Sequence, residues 1–149
     1  MNILIDTSVL GRLANRADVA HWVAKNAIAE LHRRGETLHL TPQNLVEFRN
    51  FATRPVRVNG LGLTASTADG LGANFETAFS LLAETPDIYP AWKALVGALG
   101  VIGKQVHDAR LIAVCHAHGV SHLLTFNVAH FARLAGFSPG VVVIDPASV

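Results

Sequence analysis

Cysteine is almost missing from this sequence: Cys115 stands alone in 149 residues. A lone thiol excludes an intramolecular disulfide, and with it the small secreted scaffolds that such bonds hold together. Charge is scarce too, at 15% of residues against 50% apolar, which excludes a disordered polyelectrolyte. Long apolar runs are absent. The longest tract lies between Lys93 and Lys104, far short of the roughly 20 residues a membrane helix needs. No positively charged start precedes an apolar segment, so no signal peptide is expected. These exclusions leave one soluble cytoplasmic domain over residues 1–149 as the expectation, long enough to bury a core without staples.

What is present alternates. Residues 2–5 read as a strand. Asp18 reads as the N-cap of a helix with the apolar stripe Ala20, Val23, Ala24, Ala27, Ile28 and Leu31, stopped by Gly35. Thr37–Leu40 is a second strand. Thr41 and Pro42, a cap and a first-turn proline, open a helix to about Thr53. Residues 54–66 form a flexible Gly-rich loop with two arginines. A helix is expected from about Thr67 to Ala83, a short strand at 87–89 and a helix at 91–99. A further helix runs from Val106 to His118, closed by Gly119. Strands at 121–125 and 141–144 flank a short helix at 128–134, and Asp145 before Pro146 reads as a turn residue. Such alternation implies a three-layer α/β fold: a central parallel sheet covered by helices on both faces. Its ligand sites lie outside the carboxyl ends of the strands.

Several polar residues fall near that edge. Asp6 ends the first strand, where a bare carboxylate at the rim of a core needs a cap or a cation. Glu47 lies in NLVEFRNF, roughly 9 Å along its helix from Thr41. Its side chain leans back toward the strand ends, although, taken alone, a solvated helix glutamate is the better account of it. The apolar neighbours Val46, Phe48 and Phe51 make that second reading less comfortable. Asp108, in KQVHDARL, shares an apolar stripe with Leu111, Ile112 and Cys115. A charge there needs a partner, while a first-turn acid also suits the helix dipole. Asn127 follows the strand end at Thr125 and is either a site residue or a plain N-cap.

Together these pieces resemble the PIN-domain nucleases, most closely the VapC-type toxins of bacterial toxin–antitoxin pairs. The matching segments are ILIDTSVL, VEF, HDARL, and LLTFN followed by His130 and Phe131. The ATRP…NGLGL stretch from Ala52 to Leu63 is similar to one branch of that group. The resemblance implies a PIN-like fold, Mg²⁺- or Mn²⁺-dependent endonucleolytic cleavage of RNA, a homodimer and a partner antitoxin. It implies that Asp6, Glu47 and Asp108 are the metal-binding acids. Ser8 would orient a ligand or water, and Asn127 would take the fourth polar position, where many relatives carry aspartate. His130 stands near where some relatives place another acid. Three carboxylates leave the choice between one metal and two open. Hard carboxylate oxygens suit Mg²⁺, which activates water and neutralises phosphoryl charge. An acidic pocket also invites a basic side chain from an inhibitor.

Charge outside that pocket is mildly basic. With the three acids set aside, twelve cations face eight acids, and nine of the twelve are arginine, the residue that best forks onto phosphate. Arg54, Arg57 and Arg110 are candidate RNA contacts, and an ordinary basic surface explains them as well. His116, His118 and His122 are not read as a zinc site, since i and i+2 do not share a helix face. Trp22 and Trp92 read as packing residues. Two rival functions remain. An aspartyl-phosphate phosphatase would need a second aspartate where Ser8 stands. A nuclease fold without activity, serving as an interaction module, would be signalled by Asn127.

Overall fold

A computed structural model describes all 149 residues, Met1–Val149. Five short strands form one sheet in the order β3-β2-β1-β4-β5: β1 Asn2–Ile5, β2 Thr37–Leu40, β3 Ser80–Leu81, β4 His122–Leu124 and β5 Val142–Ile144. Every pairing is parallel. β1 lies at the centre because its Ile3, Leu4 and Ile5 are all fully buried, the mark of a strand covered on both faces. Ile3 and Ile5 join one apolar core with Leu10, Leu31, Phe48, Phe75 and Leu124. Leu4 joins the other with Leu95, Leu111, Ile112, Leu123 and Phe131. The helices α1 Thr7–Ala14, α2 His21–Arg33, α3 Pro42–Thr53 and α4 Ala65–Ala78 supply the first core; α5 Ile88–Leu99, α6 Gln105–His118 and α7 Val128–Ala135 supply the second. The result is the expected three-layer α/β architecture.

The strand order reverses at β1. From the centre the chain builds outward through β2 and β3, then returns to add β4 and β5 on the other side. Such a switch point opens a crevice at the carboxyl ends of the two strands that flank it, here β1 and β4. Asp6 and Thr125 are the residues immediately past those ends.

Local chemistry explains most of the elements. Thr41 caps α3 through a reciprocal pair: its hydroxyl accepts from the Asn44 N–H, and the Asn44 side chain accepts from the Thr41 N–H. Gly119 closes α6 at φ 64°, a left-handed conformation that favours glycine. Phe48 is fully buried and meets the Phe75 ring edge-on at 5.0 Å.

The structure corrects several expectations. Residues 7–14, which the sequence left unassigned, form α1. Its N-cap is Asp6, which accepts from the Ser8 N–H. Asp18 is not a helix cap; it closes a turn by accepting from the Ala20 N–H, and α2 starts at His21. Residues 88–89 belong to α5, whose N-cap is Asp87, so no strand forms at 87–89. α4 stops at Ala78 and gives way to the two-residue β3, paired with His39 and Leu40. The Gly-rich loop is not free: the Leu61 and Leu63 N–H groups donate to the Phe51 and Ala52 carbonyls, folding it back onto the end of α3. Gly60 makes that return possible, because a Cβ there would fall 1.9 Å from the Arg54 carbonyl oxygen. Trp22 is 61% exposed and is not a packing residue. Trp92 is half-buried, stacks on Tyr89, and donates its indole N–H to the Val106 carbonyl.

Val46 is exposed and Phe48 buried, so α3 turns opposite faces to solvent and core. Phe48→Ala is expected to cost about 3–5 kcal/mol from the cavity it leaves. Val46→Ala should stay within about 0.5 kcal/mol. Urea unfolding of the two variants checks the pair, and equal costs would contradict this orientation of α3.

Candidate active site

The crevice past β1 and β4 holds a pocket of about 290 Å³ lined by polar side chains, Asp6, Glu47, Asp108 and Asn127 among them. The four sequence-predicted residues come from four places in the chain: the end of β1, the middle of α3, the first turn of α6 and the start of α7. Residues more than a hundred positions apart are thus gathered by the parallel sheet and the helices packed on it.

Asp6 is only 5% exposed, and a buried carboxylate is costly unless it is hydrogen-bonded. Two hydroxyls meet that need. Ser8 Oγ donates to Asp6 Oδ2 at 2.6 Å, and Thr125 Oγ1 donates to the same oxygen at 2.7 Å. The Ser8 N–H reaches it at 3.3 Å. Each hydroxyl is itself held: Ser8 Oγ accepts from the Phe126 N–H, and Thr125 Oγ1 from the Asn127 N–H. All three bonds fall on Oδ2, which fixes the carboxylate and leaves Oδ1 without a donor. Ser8 therefore holds Asp6 itself.

Glu47 is placed by a different set. Thr7 Oγ1 donates to its Oε2 at 2.7 Å, and Gln43 Nε2 donates to its Oε1 at 2.8 Å. Gln43 also donates to the His107 carbonyl, which ties α3 to the start of α6. Glu47 is thus neither a freely solvated side chain nor ion-paired. Asp108 has no such help. It is half-buried, and its carboxyl is pushed up to about 6, first by burial, then by the Asp6 and Glu47 carboxylates, against the opposing pull of His130 and His107. Asn127 precedes α7, but its side chain makes no capping hydrogen bond. Its amide is left for the pocket.

The acids lack a cation. The five ion pairs of the molecule, such as Arg49 with Asp69 and Arg110 with Glu84, all lie elsewhere. Arg12 lines the pocket but stacks on the Phe126 ring at 4.8 Å and donates to the Ser8 carbonyl instead. The donor set, hard oxygens with Asp6 Oδ1 and the Asp108 carboxylate free of hydrogen bonds, fits a divalent ion such as Mg²⁺ or Mn²⁺. As placed, no three acid, imidazole or thiol groups stand close enough to form a closed cage.

The other sequence-predicted residues lie apart. Arg54 donates to the Asn59 carbonyl within its loop, Arg57 is exposed on the short 3-10 turn, and Arg110 pairs with Glu84 and donates to Gln43. His116 stacks on Phe137, His118 bonds the Ala83 carbonyl and His122 bonds Ser121. Sequence reasoning missed Thr7, Arg12, Gln43 and Thr125. Only the threonine after an apolar strand, as in LLT, carried a signal, since it mirrors the Asp6 position at a neighbouring strand end.

A PIN domain profile matches residues 3–136. The chain belongs to the PIN-domain family. Its fold is similar to VapBC2 from Rickettsia felis, solved bound to a DNA fragment from the promoter, at 14% identity and TM-score 0.72 over 97% of this chain and 98% of that one. It is also similar to VapBC-1 from nontypeable Haemophilus influenzae, at 17% identity and TM-score 0.67 over 98% of each chain. A third likeness is to VapC20 of Mycobacterium tuberculosis, described as a Sarcin-Ricin loop cleaving toxin, at 22% identity and TM-score 0.64 over 88% and 94%. No curated protein sequence matches the chain.

The raised Asp108 carboxyl fixes a pH dependence. Its folded value of about 6 exceeds the ordinary 3.8, so the native state holds this proton more tightly than the unfolded chain. The Asp108 contribution to stability therefore falls as pH rises from about 4 through about 6. Asp108→Asn removes that fall. In EDTA the variant should gain on wild type between about pH 4 and about pH 7, measured by urea unfolding at both values. A constant or shrinking difference would contradict the shared acidic pocket.

Proposed function

We propose that this chain is a Mg²⁺- or Mn²⁺-dependent endoribonuclease, the toxin of a VapBC-like toxin–antitoxin pair. It acts as one cytoplasmic domain over residues 1–149 and as a homodimer. The observation that carries the reading is the convergence of Asp6, Glu47 and Asp108 on one pocket at the carboxyl edge of the sheet, with no cation paired to them. Family membership and the likeness to VapC toxin structures support the same class.

Asp6, Glu47 and Asp108 would hold the ion. When bound, it lowers the pKa of water and neutralises charge on the phosphoryl oxygens. The chain's own residues do the rest. Ser8 and Thr125 hold Asp6 in one orientation by donating to Oδ2. Thr7 and Gln43 do the same for Glu47. Asn127 contributes a neutral amide that can donate to a phosphate oxygen where a fourth carboxylate would repel it. No side-chain nucleophile is required: the hydroxyls of Ser8 and Thr7 are engaged in positioning Asp6 and Glu47. An antitoxin would inhibit most simply by inserting a basic side chain among the acids, and co-purification with the product of an adjacent small gene tests that partner.

Single-stranded or looped RNA should be cleaved with Mg²⁺ or Mn²⁺, leaving 5′-phosphate ends, because unstacked strands are what such a pocket admits. Asp6→Asn should lower the rate at least about a hundredfold, and Ser8→Ala about 10–100-fold, since it only positions Asp6. Denaturing gels with and without EDTA provide the readout. Full activity in EDTA, or cyclic-phosphate ends, would contradict the mechanism.

A further inference from the structure

Beside the acidic pocket lies a second, smaller cavity of about 190 Å³, lined by Arg16, His21, Trp22 and Lys25. We propose that this cavity binds the strand of single-stranded RNA that runs on from the cleavage site, with Arg16 and Lys25 on its phosphates and Trp22 on one base.

The chemistry of the cavity is one-sided. No acid lines it, and neither Arg16 nor Lys25 takes part in any ion pair of the molecule. Both are exposed, as is Trp22 at 61%. An exposed tryptophan on a helix is costly to leave in water, and here it is held in position. The His21 ring packs edge-on against it at 5.2 Å, and the Lys25 ammonium sits 4.8 Å over its face. A basic groove with an aromatic platform is the combination that binds single strands without sequence readout: cations follow the phosphates and a base stacks on the ring.

The cavity shares no lining residue with the acidic pocket but is tied to it through Arg12, four positions before Arg16. The Arg12 side chain lines the acidic pocket, while its carbonyl oxygen accepts from His21 Nδ1–H at 2.9 Å. His21 is buried and in turn carries Trp22. On the opposite flank the cation nearest Glu47 is Arg110, already paired with Glu84. A phosphate backbone leaving the acids on the Arg12 side therefore meets positive charge that no acid neutralises.

This inference rests on the ribonuclease reading, so binding and cleavage are measured separately. The probe is a fluorescently labelled single-stranded RNA of mixed sequence, titrated with full-length protein in EDTA over a series of salt concentrations, with polyglutamate as a competitor. The variants are Trp22→Ala and the double variant Arg16→Ala with Lys25→Ala. All substituted residues are exposed, and thermal unfolding confirms that the variants fold. The double variant should bind RNA at least tenfold more weakly, with a log–log salt slope shallower by about 1.4, at 0.7 per lost phosphate contact. Trp22→Ala should lose about tenfold with the salt slope unchanged, because stacking releases no counterions. With Mg²⁺ the same variants should show a raised KM and a nearly constant kcat. Wild-type affinity and slope in both variants would overturn the proposal while leaving cleavage intact. So would a loss confined to polyglutamate binding, which would assign the cavity to an acidic protein. Patch-dependent RNA binding without any metal-dependent cleavage would uphold RNA binding by the cavity and refute the nuclease reading.

Discussion

The Asp6 carboxylate is the constraint around which the rest is arranged. It sits at the end of the most buried strand, 5% exposed, where an ionised group survives only if its neighbours donate to it. The neighbours come from both flanking segments: Ser8 from the first turn of α1, and Thr125 from the end of β4. The parallel pairing that sets Ile5 beside Leu124 is what brings Thr125 within reach. One carboxylate thereby couples the register of the sheet, the start of α1 and the turn into α7. It also keeps one oxygen free, in a pocket that already holds two more acids.

That arrangement separates the functional alternatives. A phosphatase of the aspartyl-phosphate kind needs a second aspartate two residues on. Here Ser8 occupies that position, and its hydroxyl is spent on Asp6. An interaction module without activity would have no need of three acids around one pocket, where burial first and then the neighbouring carboxylates push the Asp108 carboxyl up to about 6. Acids held together against their repulsion without an ion-pair partner are better explained by a cation than by packing. Asn127 does not weaken that reading, because its side chain is not spent as a helix cap.

Much of this was legible in the sequence, and the reasons are physical. β1, β2 and α3 carried unambiguous signals: a continuous apolar run, a threonine–proline start and a clear period. Asp6, Glu47, Asp108 and Asn127 stood out because each is polar at a place where the pattern expects an end or a core. α1 was not legible, since the apolar residues of TSVLGRLA span only two turns and contain Gly11. β3 is two exposed residues and acquires its identity only from pairing with β2. The apolar Ile88-Tyr89 imitated a strand because the first turn of α5 is apolar. Gln43 and Arg12 owe their roles to contacts across the fold, which no local pattern reports, and Thr125, 119 positions from Asp6, was hinted at only by its place after an apolar strand. Trp22 misled for the opposite reason: it lies in a helical pattern but faces water.

The central claim is that the three acids form one cation site, and metal-dependent unfolding tests it most directly. Thermal unfolding of the wild type should be followed in EDTA and then with Mg²⁺ at increasing concentration. At a hundredfold excess over its Kd the ion should add about 2.7 kcal/mol, which for a chain of this size raises Tm by about 5–10 °C. In Asp6→Asn and in Asp108→Asn most of that rise should disappear. A wild type whose Tm ignores Mg²⁺ and Mn²⁺, or variants that keep the full rise, would contradict the account.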